Sequence, residues 1–181
     1  MNRRGITLVE LMIVLAIVGI LAVALGFEYS GWMGRYKVEK AVKDIYSDLT
    51  TARMRAMQRS RVHFVDFPSN TTYRMVEDTN DDGVMNDAAV ATFPKTVAYI
   101  LSAVPWAGNR IAFARNGTMA PTGVLCLSST ALPDYDCILI GVTYNTVTAL
   151  TDQTPTRIKL GQLTTSLPAG GACDAVNCRE K

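Results

Sequence analysis

The apolar residues are unevenly spread along the chain. Residues 11–27 carry no charge at all, whereas beyond Tyr36 polar and apolar letters alternate as in an ordinary globular protein. As a helix, residues 6–27 extend about 33 Å, enough to cross a bilayer. Val38, Val42, Ile45, Leu49, Ala52 and Ala56 then recur at intervals of four and three, one stripe of an amphipathic helix that continues to about Arg59. Such a helix measures on the order of 80 Å from Ile6. Gly26, Gly31 and Gly34 fall where it leaves the apolar stretch, each weakening it by roughly 1 kcal/mol relative to alanine, so a soft joint is expected there.

From Val62 the period changes to two. Residues 62–67 and 73–76 read as a hairpin around Pro68-Ser69-Asn70, and further strands are predicted at 97–101, 110–114, 124–127, 138–142 and 156–160. The fold class expected is α+β: a long N-terminal helix, half membrane segment and half amphipathic, packed on a small antiparallel sheet or sandwich. The expected divisions are residues 1–5 as a leader, 6–61 as the helix with 6–27 in the membrane, and 62–181 as the β-rich domain.

Composition narrows the functions. Of 181 residues, 49% are hydrophobic and 19% charged, with a formal net charge of +2. Removing Arg3 and Arg4 from the 18 basic residues leaves them equal in number to the 16 acidic ones, which disfavours a generic polyanion binder. There is no Gly-x-Ser-x-Gly, phosphate-binding Walker loop, His-Glu-x-x-His or dinucleotide fingerprint, so the chain is expected to be non-enzymatic and to need no cofactor. The single histidine, His63, is expected on a strand surface.

Cys126, Cys137, Cys173 and Cys178 lie in the last third without zinc-ligand spacing. An even number of cysteines behind an export-type N-terminus points to disulfides in an oxidising compartment. Three connectivities are open, with the local pairs Cys126–Cys137 and Cys173–Cys178 favoured. The same argument sets orientation, because Arg35, Lys37, Lys40 and Lys43 beyond the span offset Arg3 and Arg4 before it. The N-terminus is placed in the cytoplasm and the large domain outside, with Phe27, Tyr29 and Trp32 as an interfacial aromatic belt.

The N-terminus reads Met1-Asn2-Arg3-Arg4-Gly5-Ile6-Thr7-Leu8-Val9-Glu10 before the apolar run. Ala22-Val23-Ala24 offers a signal-peptidase-like site, but a cleaved signal has no use for a carboxylate at Glu10, which is costly in an apolar segment unless paired. Cleavage after Gly5 accounts for every residue: it creates an amine at Ile6 that can neutralise the Glu10 of a neighbouring subunit in a packed helical bundle. The short basic leader ending in glycine, followed by Ile6-Thr7-Leu8-Val9-Glu10-Leu11, resembles the type IV pilin-like family. The resemblance implies cleavage between Gly5 and Ile6 by a prepilin peptidase, methylation of the Ile6 amine, and a register-setting role for Glu10, with Thr7 assisting. The family usually has Phe where this chain has Ile6.

Within that family the chain resembles the minor pseudopilin H of type II secretion and the FimT/FimU-type minor pilins. The narrower likeness is carried by Thr50-Thr51-Ala52-Arg53-x-x-Ala56-Met57-x-Arg59, by Ile111-x-Phe113-x-x-x-Gly117 and by Arg157-Ile158-Lys159. It implies a structural subunit of a type IV pilus or secretion pseudopilus, in a tip or initiation complex. It would be stored single-pass in a bacterial inner membrane with its domain in the periplasm. The implied partners are other pilins or pseudopilins, the prepilin peptidase, an inner-membrane assembly platform and, before assembly, membrane lipid. The alternative is a DNA-binding minor pilin for uptake, with Arg157, Lys159, Arg179 and Lys181 as phosphate contacts. Asp78, Asn80 and Asp82 before Gly83 have calcium-loop spacing, but the twelfth position is Ala89 rather than a bidentate acid; a polar hairpin turn is the competing reading.

Overall fold

A computed structural model describes residues 6–85, 92–96, 108–127, 133–145, 150–164 and 173–181, with side chains described except at 24–31, 92–96, 144–145 and 150–152. The chain divides into two compact units, Met1–Gly34 and Arg35–Lys181.

Helix α1 runs Leu8–Arg59. It runs through Gly26, Gly31 and Gly34, and the boundary between the two units follows Gly34. In the first unit, apart from Glu10, the described side chains of residues 8–23 are apolar and exposed on every face, from Leu8 at 75% to Val23 at 64%. A helix apolar all round has no soluble surface of its own. Among the described residues no helix is long and apolar enough to cross a membrane. Residues 24–27 of the expected span, Phe27 and Tyr29 of the expected belt, and the leader through Gly5 lie outside the described side chains.

In the second unit the outer part of α1 carries the stripe that sequence periodicity marked: Val38, Val42, Ile45, Leu49, Ala52 and Ala56 are each at most 1% exposed. Their partners come from two antiparallel sheets. The first has order β3-β2-β1-β4-β5, formed by β1 (His63–Ser69), β2 (Thr72–Glu77), β3 (Thr92–Thr96), β4 (Arg110–Phe113) and β5 (Met119–Ala120). The second has order β6-β7-β8-β9, formed by β6 (Gly123–Cys126), β7 (Cys137–Asn145), β8 (Leu150–Leu163) and β9 (Cys178–Glu180). Val65, Phe67, Tyr73, Ile111 and Phe113 of the first sheet, and Leu125, Ile138 and Ile140 of the second, close one core with the helix stripe. The outer half of the helix and both sheets therefore form a single unit with one principal core.

The predicted strands at 97–101 lie outside the described residues. Strand β3 occupies 92–96, where Pro94 suits its edge position among the described strands. Strand β8 is fourteen residues long, well beyond the predicted 156–160. A register shift between Ile140 and Val142 marks a bulge in β7, and Gly141 there has φ +65°, with Thr122 Cγ2 only 2.5 Å from where a Cβ would stand.

Candidate functional site

The N-terminus of α1 is built by Thr7. Its Oγ1 accepts the backbone N–H of Glu10 at 3.3 Å, and its carbonyl accepts the N–H of Leu11 at 3.2 Å. Thr7 is thus the N-cap and Glu10 the third helical residue, the Thr-x-x-Glu arrangement of a capping box. The spacing was readable from the sequence, yet only a register role for Thr7 was derived there. Glu10 is exposed and sits in the first turn, where a carboxylate is favoured by the helix dipole. A positive amine at Ile6, by contrast, faces the positive end of that dipole, so it gains from any carboxylate brought beside it, its own or a neighbour's. Gly5, the other side of the expected cleavage point, lies outside the described residues.

The far end of α1 is closed by a left-handed Ser60, φ 52°, with the Arg61 N–H donating to the Ala56 carbonyl at 3.2 Å. This is a Schellman C-cap with serine in the position glycine usually fills. The arginines crowded at this end are spent on fixing loops. Arg53 Nε donates to the Gly117 carbonyl at 2.9 Å, Arg59 pairs with Glu77, and Arg61 donates to the Thr79 carbonyl at 2.9 Å. Gly117 has φ +78°, and a Cβ there would lie 2.7 Å from Met57 Sδ. The two sequence motifs, Arg53-x-x-x-Met57 on the helix and Phe113-x-x-x-Gly117 in the β4–β5 turn, therefore meet as one contact.

His63 departs from its expected surface position: it is only 4% exposed. It lies on β1, the middle strand of its sheet, which is covered on both sides. Its Nδ1 lies 3.3 Å from the Arg61 carbonyl oxygen and its Nε2 3.8 Å from Glu77. Burial holds its pKa below the ordinary 6.5, with the nearby Arg59 and Arg55 adding to the effect and the Arg61 carbonyl and Glu77 opposing it.

The cysteines correct the local pairing. The bridges are Cys126–Cys173 and Cys137–Cys178, with Cα separations of 6.0 and 6.2 Å. Cys126 and Cys137 are directly opposite across β6 and β7, which is what their spacing suggested. Both belong, however, to the face of the second sheet turned away from the helix, together with Val124, Leu139 and Leu163. That face would stand open to water without the C-terminal segment, and the crossed bridges fasten residues 173–178 across it. Gly161 makes room for this approach, since a Cβ there would lie 2.7 Å from Cys178 Sγ.

The Asp78, Asn80 and Asp82 loop turns its oxygens inward. Asp78, 1% exposed, accepts the N–H of Asp81 at 2.7 Å and of Gly83 at 2.8 Å; Asn80 accepts that of Asp82 at 3.2 Å, and Asp82 that of Val84 at 2.7 Å. These are nested Asx turns. Among the described residues no three acidic, histidine or cysteine side chains converge as metal ligands. The four cations considered for DNA separate as well. Arg157 and Lys159 share one face of β8, while Arg179, opposite Gln162, and Lys181 belong to the other. Lys159 pairs with Glu180, and Lys181 with Asp134 at 3.0 Å.

Against this geometry, residues 1–26 match the family model of the prokaryotic N-terminal methylation motif, and residues 41–160 match that of the type II transport protein GspH. Two curated fimbrial proteins of Pseudomonas aeruginosa are each 34% identical over 71 residues, covering 39% of this chain and 46% of the relative. The chain thus spans about half the length of the curated relatives it matches. No solved structure matches it.

Proposed function

The chain belongs to the GspH family of type II transport proteins, within the type IV pilin-like proteins, and from that premise we propose that it is a minor subunit at or near the tip of a pilus or secretion pseudopilus. Its role is structural rather than enzymatic. The observation that carries the reading is the methylation motif leading into a helix whose first unit exposes apolar side chains on every face. Such a surface is soluble only against lipid or other helices, which are the two environments of a subunit stored in a membrane and then drawn into a filament.

Residues 1–5 are the leader, removed by a prepilin peptidase between Gly5 and Ile6, and the new amine is methylated. In the membrane the helix stands single-pass with the domain in the periplasm, where the two disulfides form. Passing from lipid into the filament exchanges one apolar surround for another, so charge pairing decides the register. The Glu10 carboxylate of one subunit accepts the terminal ammonium of its neighbour, a pair worth far more in that low-dielectric core than in water. The assembly platform of the inner membrane supplies the motion.

The test is Glu10→Val in the host that makes the filament. Both forms are expected to be processed at Gly5, while only the unsubstituted chain is recovered in the sheared filament fraction, in amounts far below the main subunit and confined to filament ends under immunogold labelling. Equal recovery of Glu10→Val would refute the pairing, and uniform labelling along the filament would refute the tip position.

A further inference from the structure

Arg35 is the first residue of the second unit and follows the last residue of the apolar run, Phe27, by eight residues of the same helix. Around it the unit gathers segments distant in sequence. Glu39 Oε1 accepts the N–H of Asp134 at 3.1 Å, Lys181 Nζ reaches the Asp134 carboxylate at 3.0 Å, and Lys43 lies 3.5 Å from Glu39 and 5.0 Å from the centre of the Tyr135 ring. Asp134 is held below the usual carboxylate range by its hydrogen bond to Lys181, with Arg35 and Lys43 contributing. The acids of this pole are therefore already engaged with Lys43, Lys181 and a backbone amide. Arg35, Lys37 and Lys40 are left exposed, with no ion pair among the described residues, and with Tyr36 54% exposed between them.

We propose that this pole is a lipid-binding collar in which Arg35, Lys37 and Lys40 engage the phosphate groups of anionic phospholipids while the subunit is stored in the membrane. The proposal rests on residues 6–27 crossing the bilayer. On that footing Arg35 follows the end of the span by only eight residues, so its long flexible side chain is covalently tied near the interface. Three cations within two helical turns, with an aromatic ring among them, match a layer of phosphates over an apolar interior. The collar would tether the pole to the surface until extraction into the filament.

The test uses the full chain reconstituted in phosphatidylcholine vesicles and in vesicles that also contain phosphatidylglycerol. Acylation of Lys37 and Lys40 is followed by peptide mass spectrometry, with Lys159 as internal reference. The expected result is labelling at least five-fold slower at Lys37 and Lys40 with phosphatidylglycerol, abolished by molar salt and weakened by Arg35→Glu, with Lys159 unchanged. Equal labelling in both vesicles would overturn the collar. Equal protection by inorganic phosphate over phosphatidylcholine would also overturn it, identifying the ligand as a free anion. Failure of the chain to float with either vesicle would instead refute the membrane span itself.

Discussion

Because the two disulfides cross, the partner lost on mutation is predictable. In the unfolded chain the Cys126–Cys173 bridge closes a separation of 47 residues and Cys137–Cys178 one of 41. Restricting loops of that size stabilises a fold by about 4 kcal/mol each, taken singly. Local pairs would close separations of only 11 and 5 residues, worth about 3 and 2 kcal/mol. Cys126→Ala and Cys173→Ala should therefore each lower stability by about 4 kcal/mol in urea unfolding of the oxidised chain, and the double variant should lose little more. Cys126→Ala combined with Cys137→Ala removes both bridges and should lose distinctly more than either alone. Digestion gives an independent check. Trypsin cuts after Arg115, Arg157, Lys159 and Arg179, which leaves Cys126 and Cys137 on one peptide and Cys173 and Cys178 on another. Without reductant, the crossed bridges yield peptides 116–157 and 160–179 as one linked mass. Two separate, internally bridged peptides, or a Cys126→Ala/Cys137→Ala double variant that loses no more than Cys126→Ala alone, would refute the arrangement.

Other consequences are simpler to read. Gly117→Ala places a Cβ against Met57 in a left-handed turn and should destabilise by about 1–3 kcal/mol, measured as a lowered urea midpoint. Ser60→Gly relieves roughly 1 kcal/mol of left-handed strain, partly offset by glycine's greater freedom when unfolded, so Tm should rise by a few degrees. The folded chain takes up a proton at His63 less readily than the unfolded chain does. The stability it contributes is thus complete above about pH 6.5 and is lost as pH falls through 6.5 toward the lower folded pKa; urea midpoints should decline across that window and decline less in His63→Gln. Calcium should leave Tm unchanged, since the Asp78 oxygens already hold the amides of Asp81 and Gly83. Double-stranded DNA should bind no more tightly to the unsubstituted chain than to Arg157→Glu in low-salt mobility shifts.

Much of this architecture was legible because it depends on periodicity. The stripe from Val38 to Ala56 has only one helical face, and that face is the core. The methylation motif matched by residues 1–26 was legible because a lone carboxylate in an apolar run has few physical explanations. What stayed hidden depends on which strands become neighbours. Cys126 and Cys137 do stand opposite one another, but their true partners follow from an exposed sheet face that only the second sheet creates. His63 reads as a surface residue on any isolated strand, and becomes buried because β1 is central. The four cations grouped by sequence divide between two faces of β8 and β9, since alternate residues on a strand point opposite ways.

The central claim, a pilin-like subunit defined by its processed N-terminus, is tested most directly by intact mass and N-terminal sequencing of the chain taken from the membrane. Loss of residues 1–5 with a methylated amine at Ile6 is the expected result. Cleavage after Ala24, or an N-terminus still beginning at Met1, would contradict it.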